Sequence, residues 1–96
     1  MGGDMTLVVK RKGHKERFDE RKIYASIYAA CASAWYSEIH CENISGKVTK
    51  RIKNSLKNKN EIRASLIKRK IISELKKIDK RLVFYYEEHL PNLKRL

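Results

Sequence analysis

Proline is nearly missing from this chain, and the one present, Pro91, stands close to the carboxy terminus. Nothing before it interrupts a helix, and it is expected to stop the last one. Glycine is almost as scarce, with four in all. Neither a GxxxxGK[ST] loop nor a GxGxxG turn occurs, which excludes the P-loop and dinucleotide-binding folds as far as motifs can. The two cysteines, Cys31 and Cys41, lack CxxC spacing. They read as two reduced thiols, and His40 beside Cys41 supplies only half the ligands of a structural zinc, so no metal is expected. No apolar run approaches ~18 residues, so no segment is expected to cross a membrane. The opening MGGDMTLVV has neither the charged nor the apolar region of a signal peptide, and a cytoplasmic protein is expected. No Ser, Cys or carboxylate is arranged around His14 or His89 as a catalytic group, so the chain does not read as an enzyme.

What is present is charge and helical periodicity. The 96 residues are 42% hydrophobic and 35% charged, a globular, helix-leaning balance sufficient for one modest core. One domain over residues 1–96 is expected, with residues 1–5 as a flexible tail. The formal charge of +12 is unevenly placed: residues 41–70 hold ten Lys or Arg against two acidic residues. The middle third therefore carries most of the excess.

The chain changes character most sharply in VVKRKGHKERFDERKI, from Val8 to Ile23. A β-rich segment runs to Lys10, Gly13 can take the positive φ of a reversal, and Glu16 to Phe18 is extended again. Asp19 is then a good N-cap for a helix whose first turn holds Lys22 and Ile23. Lys10, Arg11 and Lys12 gather at the hairpin mouth near a helix N-terminus, a home for phosphate. The same residues can equally make an edge hairpin whose charges discourage strand addition. Spacing alone leaves both readings open.

The order Val, one residue, Lys-Arg, one residue, Gly, then Glu16, Phe18-Asp19 and Lys22-Ile23 resembles the opening signature of the ATP-cone family. These are small regulatory domains of ribonucleotide reductases and of their transcriptional regulator. The IRASLI segment and ISELKKID before a last aromatic helix are similar in pattern to the family's second half. The resemblance implies a non-catalytic switch whose ligand is ATP or dATP, with or without Mg, acting through a homo-oligomer or a partner protein. It implies that Lys10 and Lys22 meet phosphates, Arg11 supports them, and Glu16 accepts from the adenine amino group. Val8, Phe18, Ile23 and Ile62 would form the apolar slot for the base. Lys12 stands where the family usually has an acidic residue.

Four helices are expected after Asp19, giving an α+β, predominantly α domain with an N-terminal β-hairpin or small sheet. The first runs to about Ser37 with Ile23, Ile27, Ala30 and Ala34 on one line and Tyr24, Tyr28, Cys31 and Trp35 beside it, chiefly as core. Ser37, Asn43 and Ser45 are each able to cap the second, which runs to about Asn58 on Ile44, Val48, Ile52 and Leu56. The third spans Asn60 to about Ile78, with Ile62 and Leu66 turned to the hairpin. The fourth runs from Lys80 to about Leu90. Lys47, Lys50, Lys53 and Lys57 are expected as a solvated ridge remote from the hairpin mouth. That ridge supports the alternative function, a basic helical module making weak nucleic-acid contacts.

Overall fold

The computed structural model describes the backbone of residues 6–94 and the side chains of residues 6–89; the tail expected at residues 1–5 lies outside them. Seven elements follow one another: β1 (Leu7–Val9), β2 (Lys15–Arg17), α1 (Glu20–Ser33), α2 (Glu38–Ser55), β3 (Glu61–Arg63), α3 (Ala64–Ile78) and α4 (Lys80–Lys94). The strands form one small sheet in the order β2-β1-β3. Four helices and a small sheet make an α+β domain, mainly α.

The hairpin joining β1 to β2 closes through two backbone bonds, from Gly13 N–H to the Lys10 carbonyl at 2.8 Å and from Lys10 N–H to the His14 carbonyl at 2.9 Å. Gly13 has φ 95°, the left-handed value that this tight reversal requires. The β1–β2 pair is antiparallel with Val8 opposite Glu16. On its other edge β1 pairs in parallel with β3, and Val8 stands opposite Ile62.

This third strand corrects the expected helix start at Asn60. Glu61–Arg63 alternates exposed, buried, exposed, and its pairing partner lies more than fifty residues away in the sequence. A three-residue strand is too short to display a period of its own. The edge of β1 is the nonlocal partner that draws it out of the helix. The helix then begins at Ala64, without a side-chain cap. Leu66, expected to face the hairpin, is exposed.

The first helix also ends sooner than expected. Trp35 N–H bonds the Ala32 carbonyl and Tyr36 N–H bonds the Cys31 carbonyl, both at 3.1 Å. This is the paired closure of a Schellman ending, with Trp35 in the left-handed position at φ 66°. Trp35 therefore leaves the core line proposed for it and is 91% exposed. Ser37 is the cap of α2, its hydroxyl accepting from His40 N–H. The second helix stops at Ser55, and Asn58 takes φ 70° in the turn after it. The fourth helix runs through Pro91 to Lys94. Proline removes one helical N–H and crowds the carbonyl four residues earlier, which ends or kinks most helices, yet this element continues past it.

The helices assemble through the expected stripes. Ile27, Ala30 and Cys31 of α1 meet Val48 and Ile52 of α2, Ile71 and Leu75 of α3, and Leu82 and Tyr86 of α4 in one buried cluster. Val8, Phe18 and Ile62 extend the same cluster under the sheet. The Cys31 thiol is fully buried, and that burial pushes its pKa up to about 12. Among the described residues no helix is long and apolar enough to cross a membrane.

Candidate nucleotide site

Alternation along the strands decides which side chains can cooperate. Val8, Glu16 and Ile62 are directly opposite one another across the ladder and share a face of the sheet. Lys10 and Phe18 fall on that face by the period of two. Lys15 and Arg17 fall on the other, where the Lys15 ammonium pairs with the Glu61 carboxylate.

Glu16 is the centre of the arrangement. Its carboxylate lies 3.5 Å from Lys10 Nζ, 3.6 Å from His14 Nε2 and 3.8 Å from Lys22 Nζ. Lys10 above all, with Lys22 assisting, holds the Glu16 carboxyl below the usual carboxylate range. One acidic side chain thus gathers two lysines from opposite ends of the motif.

Beside this cluster lies an open depression of about 570 Å³, lined by Glu16, Arg17, Phe18, Asp19, Arg21 and Lys22. Its size is in the range of small-molecule sites. Asp19 caps α1 by accepting from Arg21 N–H at 3.0 Å, and the Arg21 Nε lies 3.3 Å from the same oxygen. Those bonds to Arg21 hold the Asp19 carboxyl below its ordinary value. One of the free N–H groups at the start of α1 is therefore taken by Asp19, and Arg21 and Lys22 of its first turn line the depression.

The residues singled out in the sequence divide into three groups. Lys10, Glu16 and Lys22 come together as described. Val8, Phe18 and Ile62 are buried at 8%, 6% and 5% exposure, so they are a closed apolar floor rather than open walls, with Ile23 half-buried against them. Arg11 is exposed at the turn. Sequence reasoning missed Arg17 and Arg21 as lining residues. Arg21 was legible in principle, since the second residue after an N-cap often turns back to it; Arg17 had no signal beyond its charge.

The expected lysine ridge is not continuous. Lys47, Lys50 and Lys57 are exposed, but Lys53 is half-buried and reaches Glu20 in the first turn of α1, 3.5 Å away. The ridge and the hairpin end are therefore in contact through one pair. Among the described residues no group of three or more His, Cys, Asp or Glu is placed to hold a metal ion.

Residues 6–87 match the family model of the ATP cone domain. That span includes the hairpin, the cation cluster and all but the end of α4. The transcriptional repressor NrdR of Carboxydothermus hydrogenoformans is 33% identical over 73 residues, 76% of this chain and 46% of that protein. The NrdR repressors of Clostridium kluyveri and Clostridium novyi are 37% and 30% identical over the same length, covering 47% and 45% of their chains. The chain spans about half the length of these relatives. The match runs from the first strand through the buried Tyr86 of the last helix, covering sheet, site and core together, and on that ground the chain belongs to the ATP-cone family.

Proposed function

We propose that this domain is a non-catalytic switch that binds ATP or dATP at the hairpin end and acts through self-association or a partner protein. The observation that carries the reading is the convergence of Lys10 and Lys22 on Glu16 within the family match. In the free protein Glu16 holds both lysines but neutralises only one of their two charges. An arriving triphosphate offers them a denser negative charge, in charge-assisted bonds stronger than the solvent-screened pair they leave. Glu16 is then released to accept a hydrogen bond, as from an exocyclic adenine amine. Arg11, Arg17 and Arg21 supply further cations around the phosphates, with or without Mg. Phe18, the apolar residue among those lining the depression, would meet the base, with Val8, Ile62 and Ile23 packed behind it as support.

Such a ligand regulates only by favouring one conformation or assembly over another. The repressor relatives are consistent with a regulatory role, and the family match with a nucleotide as the signal.

Calorimetry and thermal shift with ATP, dATP and GTP test this reading. Ligand at about 100 times its Kd should stabilise the native state by about 2.7 kcal/mol. Lys10→Ala should lose most of that shift while its unliganded melting changes little. Equal shifts in wild type and Lys10→Ala, or no shift with any adenine nucleotide, would overturn the assignment. Small-angle scattering with and without saturating nucleotide tests self-association; identical profiles leave docking on a partner as the route.

A further inference from the structure

The second helix and the third leave a groove between them. It encloses about 180 Å³ and is lined by Lys47, Val48, Arg51, Glu74, Lys77 and Ile78. Its centre is the Glu74 carboxylate, whose side chain is only 20% exposed. Arg51 Nη1 lies 3.2 Å from one of its oxygens and Lys77 Nζ 3.3 Å from the other. One acidic group thus holds two cations in place, one from each helix, and neutralises only one of them.

More positive charge flanks that core. Lys47, itself in the lining, lies one turn before Arg51 on the same face of α2, and Lys50 lies one residue before it at the margin. Both are exposed. Lys70 precedes Glu74 by one turn on α3. The groove and its margins therefore carry five cations against a single carboxylate, and Arg51 and Lys77 retain side-chain exposures of 54% and 64%.

We infer that this groove binds the phosphate backbone of a nucleic-acid duplex without reading its bases. Lys47 and Arg51 stand one helical turn, about 6 Å, apart on α2 and Lys77 faces them from α3, a spread suited to successive phosphates rather than to one small anion. The apolar lining is aliphatic, Val48 and Ile78, and offers no aromatic face on which an unpaired base would stack. No asparagine or glutamine lines the groove to pair with an adenine edge, and Arg51 and Lys77, whose residue types can read guanine, are both held by Glu74. Cations fixed in this way suit contact with the backbone. The surface differs from the expected ridge: it keeps Lys47 and Lys50, adds Arg51 and Lys77, and excludes Lys53, which Glu20 engages. It does not depend on nucleotide binding at the hairpin.

The test is fluorescence anisotropy with a short labelled duplex of arbitrary sequence, titrated at several salt concentrations. Wild type should bind with a log–log salt slope of about −3 to −4, as expected for four neutralised phosphates. The Lys47→Gln, Arg51→Gln, Lys77→Gln variant should bind about tenfold more weakly at low salt, with a slope shallower by about 2 to 3. Lys47→Gln, Lys77→Gln leaves the Arg51–Glu74 pair intact and should lose an intermediate amount, so a folding defect in the triple variant would not hide the result. A control with equal charge loss elsewhere, Lys59→Gln, Arg63→Gln, Lys80→Gln, should stay within about twofold of wild type. Equal losses in control and groove variants, no duplex binding by wild type, or tighter binding of the single strand than of the duplex would each overturn the inference.

Discussion

The Lys53 ammonium lies 3.5 Å from the Glu20 carboxylate and ties the last turn of α2 to the first turn of α1. Both groups keep some contact with water, with side-chain exposures of 30% and 44%. Pairs of this kind contribute about 0.2–1 kcal/mol. Lys53→Glu should lower the melting temperature by no more than several degrees, since about 1 kcal/mol moves a domain of this size by roughly 4–8 °C. Adding Glu20→Lys should recover most of the loss. A double-mutant cycle with zero coupling would show that the pair does not form in solution.

Gly13 presents a cleaner case, because only its backbone is at issue. Its φ is 95°, yet no heavy atom lies within 4 Å of where a Cβ would stand. Gly13→Ala should therefore cost only the left-handed penalty, about 1–2 kcal/mol. Chemical denaturation should give a lower midpoint with an unchanged slope. A midpoint equal to wild type would mean that the Lys10–His14 turn relaxes to another form.

The sequence disclosed those parts of the molecule whose causes are local. Ile27 and Ile52 each lie on a stripe of helical spacing within their own helix, and both are buried at 2% or less. Gly13 and Asp19 marked the turn and the cap because each has a conformational or hydrogen-bonding property that its neighbours lack. Ile62 was placed near the hairpin but in the wrong element, since only the vacant edge of β1 makes a strand of Glu61–Arg63. Lys53 was indistinguishable by sequence from Lys50, and only the approach of α1 gives it a partner. Arg17 and Arg21 entered the candidate site for the same reason: the depression they line exists only after β2 and α1 have folded together.

Trp35 combines a left-handed φ of 66° with 91% exposure. It is the only tryptophan in the chain. Its fluorescence should therefore be that of a solvated indole and be quenched readily by added iodide. Trp35→Gly should relieve about 1–2 kcal/mol of backbone strain while returning about 0.5–1 kcal/mol as unfolded-chain entropy. Melting should stay level or rise slightly. A marked loss of stability would mean that the indole is packed against something.

Acid stability should be controlled in large part by Asp79. Its carboxylate accepts from the Arg81 guanidinium, the Tyr36 hydroxyl and the Arg81 backbone N–H, joining the α1–α2 corner to the start of α4. Arg81 first, then Tyr36, hold the Asp79 carboxyl well below the ordinary aspartate value. The native state therefore binds its proton less readily than the unfolded chain does, and the sign follows from linkage. The stabilisation is fully present above the unfolded pKa, at about pH 4, and is lost progressively as pH falls toward the native value. Glu16, held down by Lys10, acts in the same direction. Wild-type melting temperature should be flat in this respect from about pH 7 to pH 5 and fall steadily below about pH 4. Asp79→Asn should melt lower than wild type at neutral pH, with a shallower acid limb, so that the two curves approach one another in acid. Tyr36→Phe removes one donor and should give an intermediate limb. If Asp79→Asn shifts the whole curve down without changing its acid slope, protonation elsewhere drives the transition and the Tyr36–Asp79–Arg81 cluster is structural at every pH.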